Sequence, residues 1–159
     1  MTDTTLPPTS DLEFVTMSVG DTHLGVPVMQ VRDVLDTPVI YRVPLAPPEI
    51  LGSINLRGRI VTAIDLRARL DLPRRPEGAR CMCVIVERSS GAATEPYALL
   101  VDEVGDVLSM PASAYEANPV TLAERWRALC RGLYRREASL LIVLDVDTLL
   151  DIPAAKDAA

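Results

Sequence analysis

The sequence predicts an all-β chain of the barrel or sandwich class with a few short helices. Three observations carry that expectation. Short runs rich in Val, Ile, Leu and Thr recur along the chain, separated by clusters of Gly, Pro, Asn and Asp. Aromatics are only 4% of 159 residues, with one Phe and one Trp, so the core must be aliphatic, and such residues favour strands. Helical spacing of apolar residues is confined to two stretches, 28–35 and 121–133. A hydrophobic share of 48% is ample for one domain, or for two small units sharing a core, and excludes wholesale disorder.

Taken in order, residues 1–11 lack periodicity and read as a mobile tail. Leu12 to Val19 alternates in part and reads as a first strand, closed by the turn signal Gly20-Asp21. His23, the single histidine, lies beside that turn and reads as solvent-facing, because no partner is placed to orient its ring for base work. Behind Pro27, the residues Val28, Val31 and Leu35 recur at helical spacing. They predict a short helix or helical turn, followed by a strand from about Thr37 to Val43.

The stretch Pro44 to Arg67 is the most distinctive. It passes Gly52, tightens at Asn55-Leu56-Arg57-Gly58, then runs through the apolar strand Ile60 to Ile64 into Asp65-Leu66-Arg67. Asn and Gly bracketing Leu-Arg predict a tight turn, since Gly tolerates positive φ and an Asn side chain bonds nearby backbone. Such a turn presents Arg57 outward. A guanidinium fork there suits a partner's carboxylate or carbonyls, an ion pair within the molecule, or plain solvation.

Residues 70–78 form a breaker-rich loop and the best seam between two halves, approximately 12–75 and 80–152. Cys81 to Glu87 reads as a strand buried on both faces, Arg88 to Glu95 as a polar hairpin loop, and Pro96 to Val101 as a strand continuing to Met110. Gly105 inside that run marks a bulge. Thr121 with Glu124 is a capping-box pattern, and Leu122, Trp126, Leu129 and Leu133 share a helical face, which read alone gives one helix over 121–133. Arg125, Arg127, Arg131, Arg135 and Arg136 then form a solvated face, a patch for an acidic partner or, third, one for nucleic acid. Leu140 to Val146 is a last strand, Asp145 to Leu150 a terminal helical turn, and residues 153–159 a disordered tail.

Composition excludes several classes. A net charge of −6 with few aromatics argues against nucleic-acid binding, which draws on basic surface and stacking platforms. Nothing at the start of the sequence resembles a secretion signal, and the longest aliphatic runs fall far short of the roughly 20 residues of a membrane span. Three cysteines, an odd number, fit a reduced cytoplasm. Cys81 and Cys83 read as small buried hydrophobes, with neither Cys130 nor His23 completing a metal set. Asp145 and Asp147 lack the glycine and remaining ligands of a calcium loop. With no phosphate loop, no nucleophile elbow and no defensible acid–base pair, the chain reads as a binding module without cofactor.

The string GSINLRGRIVTAIDLR resembles the central motif of the CheW family of chemotaxis coupling proteins, G-x-x-N-L-R-G-x-x-x-P-x-x-D-L-R. Gly52, Asn55, Leu56, Arg57, Gly58, Asp65, Leu66 and Arg67 match; Thr62 stands where the family has proline, and Asp33 where a G-x-x-V-x-x-V-x-E-I pattern has Glu. Similar matches at Val101-Asp102-Glu103-Val104 and around Asp145 extend the resemblance over about 12–152. It implies two five-stranded SH3-like barrels packed over a shared core with a groove between them, terminal strands crossing from one half to the other. It also implies a helix ending near Leu129, a strand over Leu133 to Arg136, and Asp145 as a cap.

Functionally, the resemblance implies a non-enzymatic, cytoplasmic adaptor, monomeric alone and not inserted in membrane. Its partners would be the cytoplasmic tip of a methyl-accepting chemoreceptor and the regulatory domain of a CheA-type histidine kinase. Val28, Val31, Asp33, Asn55, Arg57 and Gly58 would bind partners, Asp33 facing Arg57, with Gly52, Leu56, Asp65 and Arg67 supporting the motif. The alternatives are a CheW-like scaffold of a motility or developmental pathway and, more distantly, a nucleic-acid or small-ligand barrel.

Overall fold

The computed structural model describes residues 11–36, 38–73, 76, 79–90, 93–117, 124–136 and 139–151. Both expected tails, apart from Asp11, and the capping residue Thr121 lie outside them. Among the described residues, eleven strands form two sheets. In chain order they are β1 (Leu12–Val19), β2 (Thr22–Pro27), β3 (Val31–Asp36), β4 (Ile50–Leu56), β5 (Arg59–Asp65), β6 (Met82–Ser90), β7 (Ala93–Val101), β8 (Glu103–Met110), β9 (Tyr115–Glu116), β10 (Cys130–Arg135) and β11 (Leu140–Leu144). Three short helices accompany them: α1 (Leu66–Arg69), α2 (Glu124–Leu129) and α3 (Val146–Leu150). One sheet runs β3-β6-β7-β5-β4; the other runs β8-β1-β2-β11-β10, with two-residue β9 at its edge.

Each sheet therefore takes strands from both sides of residues 70–80. The first hairpin, β1–β2, joins the carboxy-terminal strands through a parallel β2–β11 pairing. The sheet of β3, β4 and β5 receives β6 and β7, with β7 parallel to β5. Two expected five-stranded units are thus present, with strands exchanged between the halves.

Period-two alternation explains how both units are filled. On β6, Cys83 and Ile85 face one cluster with Ile54, Val61, Ala63, Ala98 and Leu100, the interior of the first unit. Val84 and Val86 point the other way, into a large cluster shared with Val15, Met17, Leu24, Val26, Ile142 and Leu144 of the second sheet. Leu66, Leu149 and Leu150 complete that shared core. The second unit keeps its own interior of Phe14, Met110, Tyr134, Leu141 and Val143. Three of the scarce aromatics concentrate there: Tyr134 packs 5.3 Å from Phe14 and edge-on to Tyr115 at 5.5 Å, centroid to centroid.

Bulges bend the sheets. At the expected one, Gly105 and Asp106 together oppose Thr16, whose Oγ1 donates to the Asp106 carbonyl at 2.6 Å. A side chain at 105 would meet that hydroxyl at 2.7 Å, hence glycine. Other register shifts fall at Arg32, Leu51 and Arg131.

Several expectations need correction. The short helix or helical turn expected here is present only as a 3₁₀ turn, Val28–Gln30; Val31 and Leu35, expected on the same helical face, lie in strand β3. The bulge at Arg32 produced the misleading spacing: Val31 lies opposite Val86 on the shared-core side, whereas Leu35 lies opposite Cys83 on the barrel-interior side. The strand expected over Thr37 to Val43 is, within its described residues, one isolated bridge between Tyr41 and Ser53. Pro38 and Pro44 withhold amide donors and limit a ladder there. The polar hairpin loop expected over Arg88 to Glu95 is a hairpin, but mostly paired strand, with Arg88 opposite Glu95 and Ser90 opposite Ala93. Helix α2 ends at Leu129, as the resemblance implies and unlike the single helix over 121–133; the strand expected from Leu133 begins earlier, at Cys130. Asp145 stands at the cap position of α3, but its side chain makes no capping hydrogen bond; its carbonyl instead accepts the Leu149 amide.

Candidate functional site

The β4–β5 hairpin closes on a two-residue turn, Arg57-Gly58, between the paired Leu56 and Arg59. Both turn residues have positive φ, 52° for Arg57 and 90° for Gly58. That combination matches the right-handed twist of a hairpin. Asn55 Oδ1 accepts the Gly58 amide at 2.8 Å, three residues on. Gly58 is the natural occupant of its position; Arg57 is not, because a left-handed L-residue with a Cβ costs roughly 1–2 kcal/mol. Its side chain is 80% exposed.

Asp33 faces it from β3. The bulge at Arg32 turns Asp33 toward Ile85 and the mouth of the first barrel, so its side chain is only 25% exposed. Asp33 Oδ1 accepts the Val34 amide at 2.8 Å. Oδ2 lies 3.0 Å from Arg57 Nη2. The approach is an ion contact without hydrogen-bond alignment, so the buried Oδ2 has no hydrogen bond among the described residues. The shorter Asp in place of the family's Glu still reaches its arginine.

The remaining predicted residues divide. Val28 and Val31 are half-buried and pack against the shared core; Met29 between them is exposed. Leu56 rests on the first barrel's interior. Gly52 lies against the Tyr41 backbone, where any Cβ would overlap the Tyr41 carbonyl. Asp65 caps α1 by accepting the Arg67 amide at 3.1 Å. Arg67 points away from the turn, into a bidentate pair with Asp102. That hydrogen-bonded carboxylate holds its guanidinium above the ordinary range. Thr62, on a strand paired on both sides, lies opposite Ser53 and Tyr97, where proline would lack an amide donor.

Other candidates acquire plain roles. His23 is exposed. Cys83 and Cys130 are buried, which pushes each thiol up to about 12; Cys81 is only half-buried. Among the described residues no group of three His, Cys, Asp or Glu could hold a metal, and no helix is long and apolar enough to cross a membrane. The arginine cluster does not form one face. Arg135 is paired with Glu116 at 2.7 Å, a hydrogen bond that holds the Glu116 carboxyl below its usual range. Arg131 sits at a bulge with its carbonyl accepting the Tyr115 hydroxyl at 3.1 Å.

Sequence reasoning missed one surface. Val39, Tyr41, Val43 and Leu45 are all exposed, as is Ile60 on β5. The alternation of Val39, Tyr41 and Val43 was visible but was read as strand pattern; the segment is instead exposed and apolar, bridged to β4 at Tyr41–Ser53.

A hairpin arginine held in an unfavourable backbone conformation thus faces a half-buried carboxylate on a two-barrel scaffold. The CheW-like domain model matches residues 13–154, and the chain belongs to that family. It is 27% identical over 139 residues to a probable chemotaxis protein CheW of Rhizobium etli, covering 87% of each chain. It is also 27% identical over 146 residues to the chemotaxis protein CheW of Bacillus subtilis, covering 92% of this chain and 91% of that one. Its fold matches the crystal structure of the scaffolding protein TtCheW from Thermoanaerobacter tengcongensis, with a TM-score of 0.79 at 24% identity over 93% of this chain and 95% of the other.

Proposed function

We propose that this chain is a non-enzymatic adaptor that couples chemoreceptor tips to a CheA-type histidine kinase in a cytoplasmic array. The observation that carries the reading is Arg57: its guanidinium is exposed, its backbone is in a costly conformation, and among the described residues its close counter-charge is Asp33. A residue kept where the local turn disfavours it points to a use for the side chain.

One surface, around Val28, Val31, Asp33, Asn55, Arg57 and Gly58, takes the receptor's helical hairpin, apolar contacts giving area and the charged pair giving register. A second, the apolar border of Val39, Tyr41, Val43, Leu45 and Ile60, meets the kinase's regulatory domain. Two modest interfaces on one rigid body raise the effective concentration of each partner for the other. The adaptor performs no chemistry; it biases the kinase between its active and inactive populations.

The test is co-sedimentation of the purified chain with a receptor signalling hairpin and a CheA-type kinase at low salt. A ternary complex with no ATPase or phosphotransfer activity from the chain itself is expected. Capture of neither partner would overturn the reading.

A further inference from the structure

The main chain passes between the two sheets at two places. One is the 3₁₀ turn Val28–Gln30, joining β2 to β3; the other is Asp102, joining β7 to β8. The first crossing carries Val28 and leads directly to Asp33. The second is clamped from α1.

Arg67 Nε donates to Asp102 Oδ1 at 3.1 Å and Nη2 to Oδ2 at 2.6 Å, while Nη1 donates to the Pro73 carbonyl at 2.8 Å. The same carboxylate accepts the Gly20 amide at 2.8 Å, and the Asp102 amide donates to the Ser18 carbonyl at 3.1 Å. One guanidinium therefore fastens the β1–β2 turn and the crossover residue to a helix that follows β5 of the other sheet. The Arg67 side chain is 14% exposed, so water competes little for the pair.

Arg69 forms a second arm. Its Nε donates to the Leu149 carbonyl at 2.8 Å, and its Nη2 to the carbonyls of Thr148 at 3.1 Å and Asp151 at 2.9 Å. These are the groups that a helix end leaves without partners, here the end of α3, which follows β11 of the second sheet. The Asp65 cap orients α1 and with it both arms.

Two barrels joined covalently at two points keep a fixed angle only if something resists rotation about those points. The shared core resists it by non-directional aliphatic packing, which tolerates small shears; bidentate and three-carbonyl contacts do not. We propose that Arg67 and Arg69 are positioning residues that lock the angle between the barrels, and through it the placement of Val28–Val34 against the β1–β8 sheet. Only the identity of what grips that segment rests on the adaptor reading.

Residual dipolar couplings on the full chain test this. In the wild type, couplings from both sheets fit one alignment tensor. In the double variant Arg67→Gln/Arg69→Gln, each sheet keeps its internal couplings but the two need separate tensors. Resonances of Val28–Val34 shift, although none of the Arg67 and Arg69 hydrogen bonds given above reaches them, and the Leu149 and Asp151 amides exchange about tenfold faster or more. Arg67→Lys, which keeps charge and loses the fork, shows a smaller version of the same change. The same readouts on Arg67→Lys and on Arg69→Gln singly cover a double variant that fails to fold. A single tensor with unmoved Val28–Val34 resonances in every variant would overturn the proposal, as would a uniform loss of protection across both sheets. If the wild type captures neither receptor nor kinase, the adaptor reading fails while the orientation result stands.

Discussion

Substituting Arg57 by Asn separates the needs of folding from those of binding. Asn accepts a left-handed backbone more readily than Arg, so the turn recovers part of the roughly 1–2 kcal/mol that a Cβ costs there. Against this stands the lost contact with Asp33. Because Arg57 is 80% exposed, that contact is worth about 0.2–1 kcal/mol. The two terms nearly cancel, and urea unfolding should place Arg57→Asn within about 1 kcal/mol of the wild type, with an unchanged slope. Partner capture should fall instead. A charged hydrogen bond to a partner contributes about 1.5–3 kcal/mol, so titration calorimetry against the receptor hairpin should show about 10- to 100-fold weaker affinity. Arg57→Glu, which sets like charges opposite one another, should weaken capture further. A variant destabilised by more than about 2 kcal/mol, whose folded fraction still binds normally, would refute this reasoning and make Arg57 a structural residue.

Gly52→Ala should cost stability, because the new methyl overlaps the Tyr41 carbonyl and opens the two 2.8 Å bonds between Tyr41 and Ser53. The loss should be about 1–3 kcal/mol by urea denaturation; a neutral variant would show that the Tyr41 segment gives way freely. Thiol labelling at pH 8 should modify Cys81 in the native protein and all three cysteines after denaturation, since only about one in ten thousand Cys83 or Cys130 thiols is ionised when burial pushes them up to about 12. The linkage follows the same sign: above the ordinary value of 9.0 the unfolded chain releases these protons while the native one retains them. Stability should therefore be intact below pH 9 and decline from there toward pH 12, as thermal melts across that range would register.

The Asn55–Gly58 turn and the first strand with its Gly20 turn were legible in the sequence because their signals are local. Asn55, Gly58 and Gly105 each do what their chemistry allows within a few residues. The β3 segment was misread for a reason equally physical. A bulge at Arg32 moves consecutive apolar residues to opposite faces, and Val28, Val31 and Leu35 then imitate a helical stripe while serving two different cores. The clamp was hidden because it is non-local: Arg67 and Asp102 stand 35 positions apart, Arg69 and Leu149 80. Nothing in the spacing of either pair announces that they meet. The 39–45 border was visible as alternation, but alternation alone does not say whether the repeating side faces protein or water.

The parallel seam between β2 and β11 has a further meaning for how the molecule comes into being. A ribosome delivers the opening hairpin early, yet the neighbour that completes its free edge is among the last strands made. Until then that edge stands open, an invitation to wrong partners, and the growing chain must keep it unfulfilled. Maturation should accordingly be slow and all-or-none for a chain this short, and neither half, severed at the 70–80 loop, should assemble on its own.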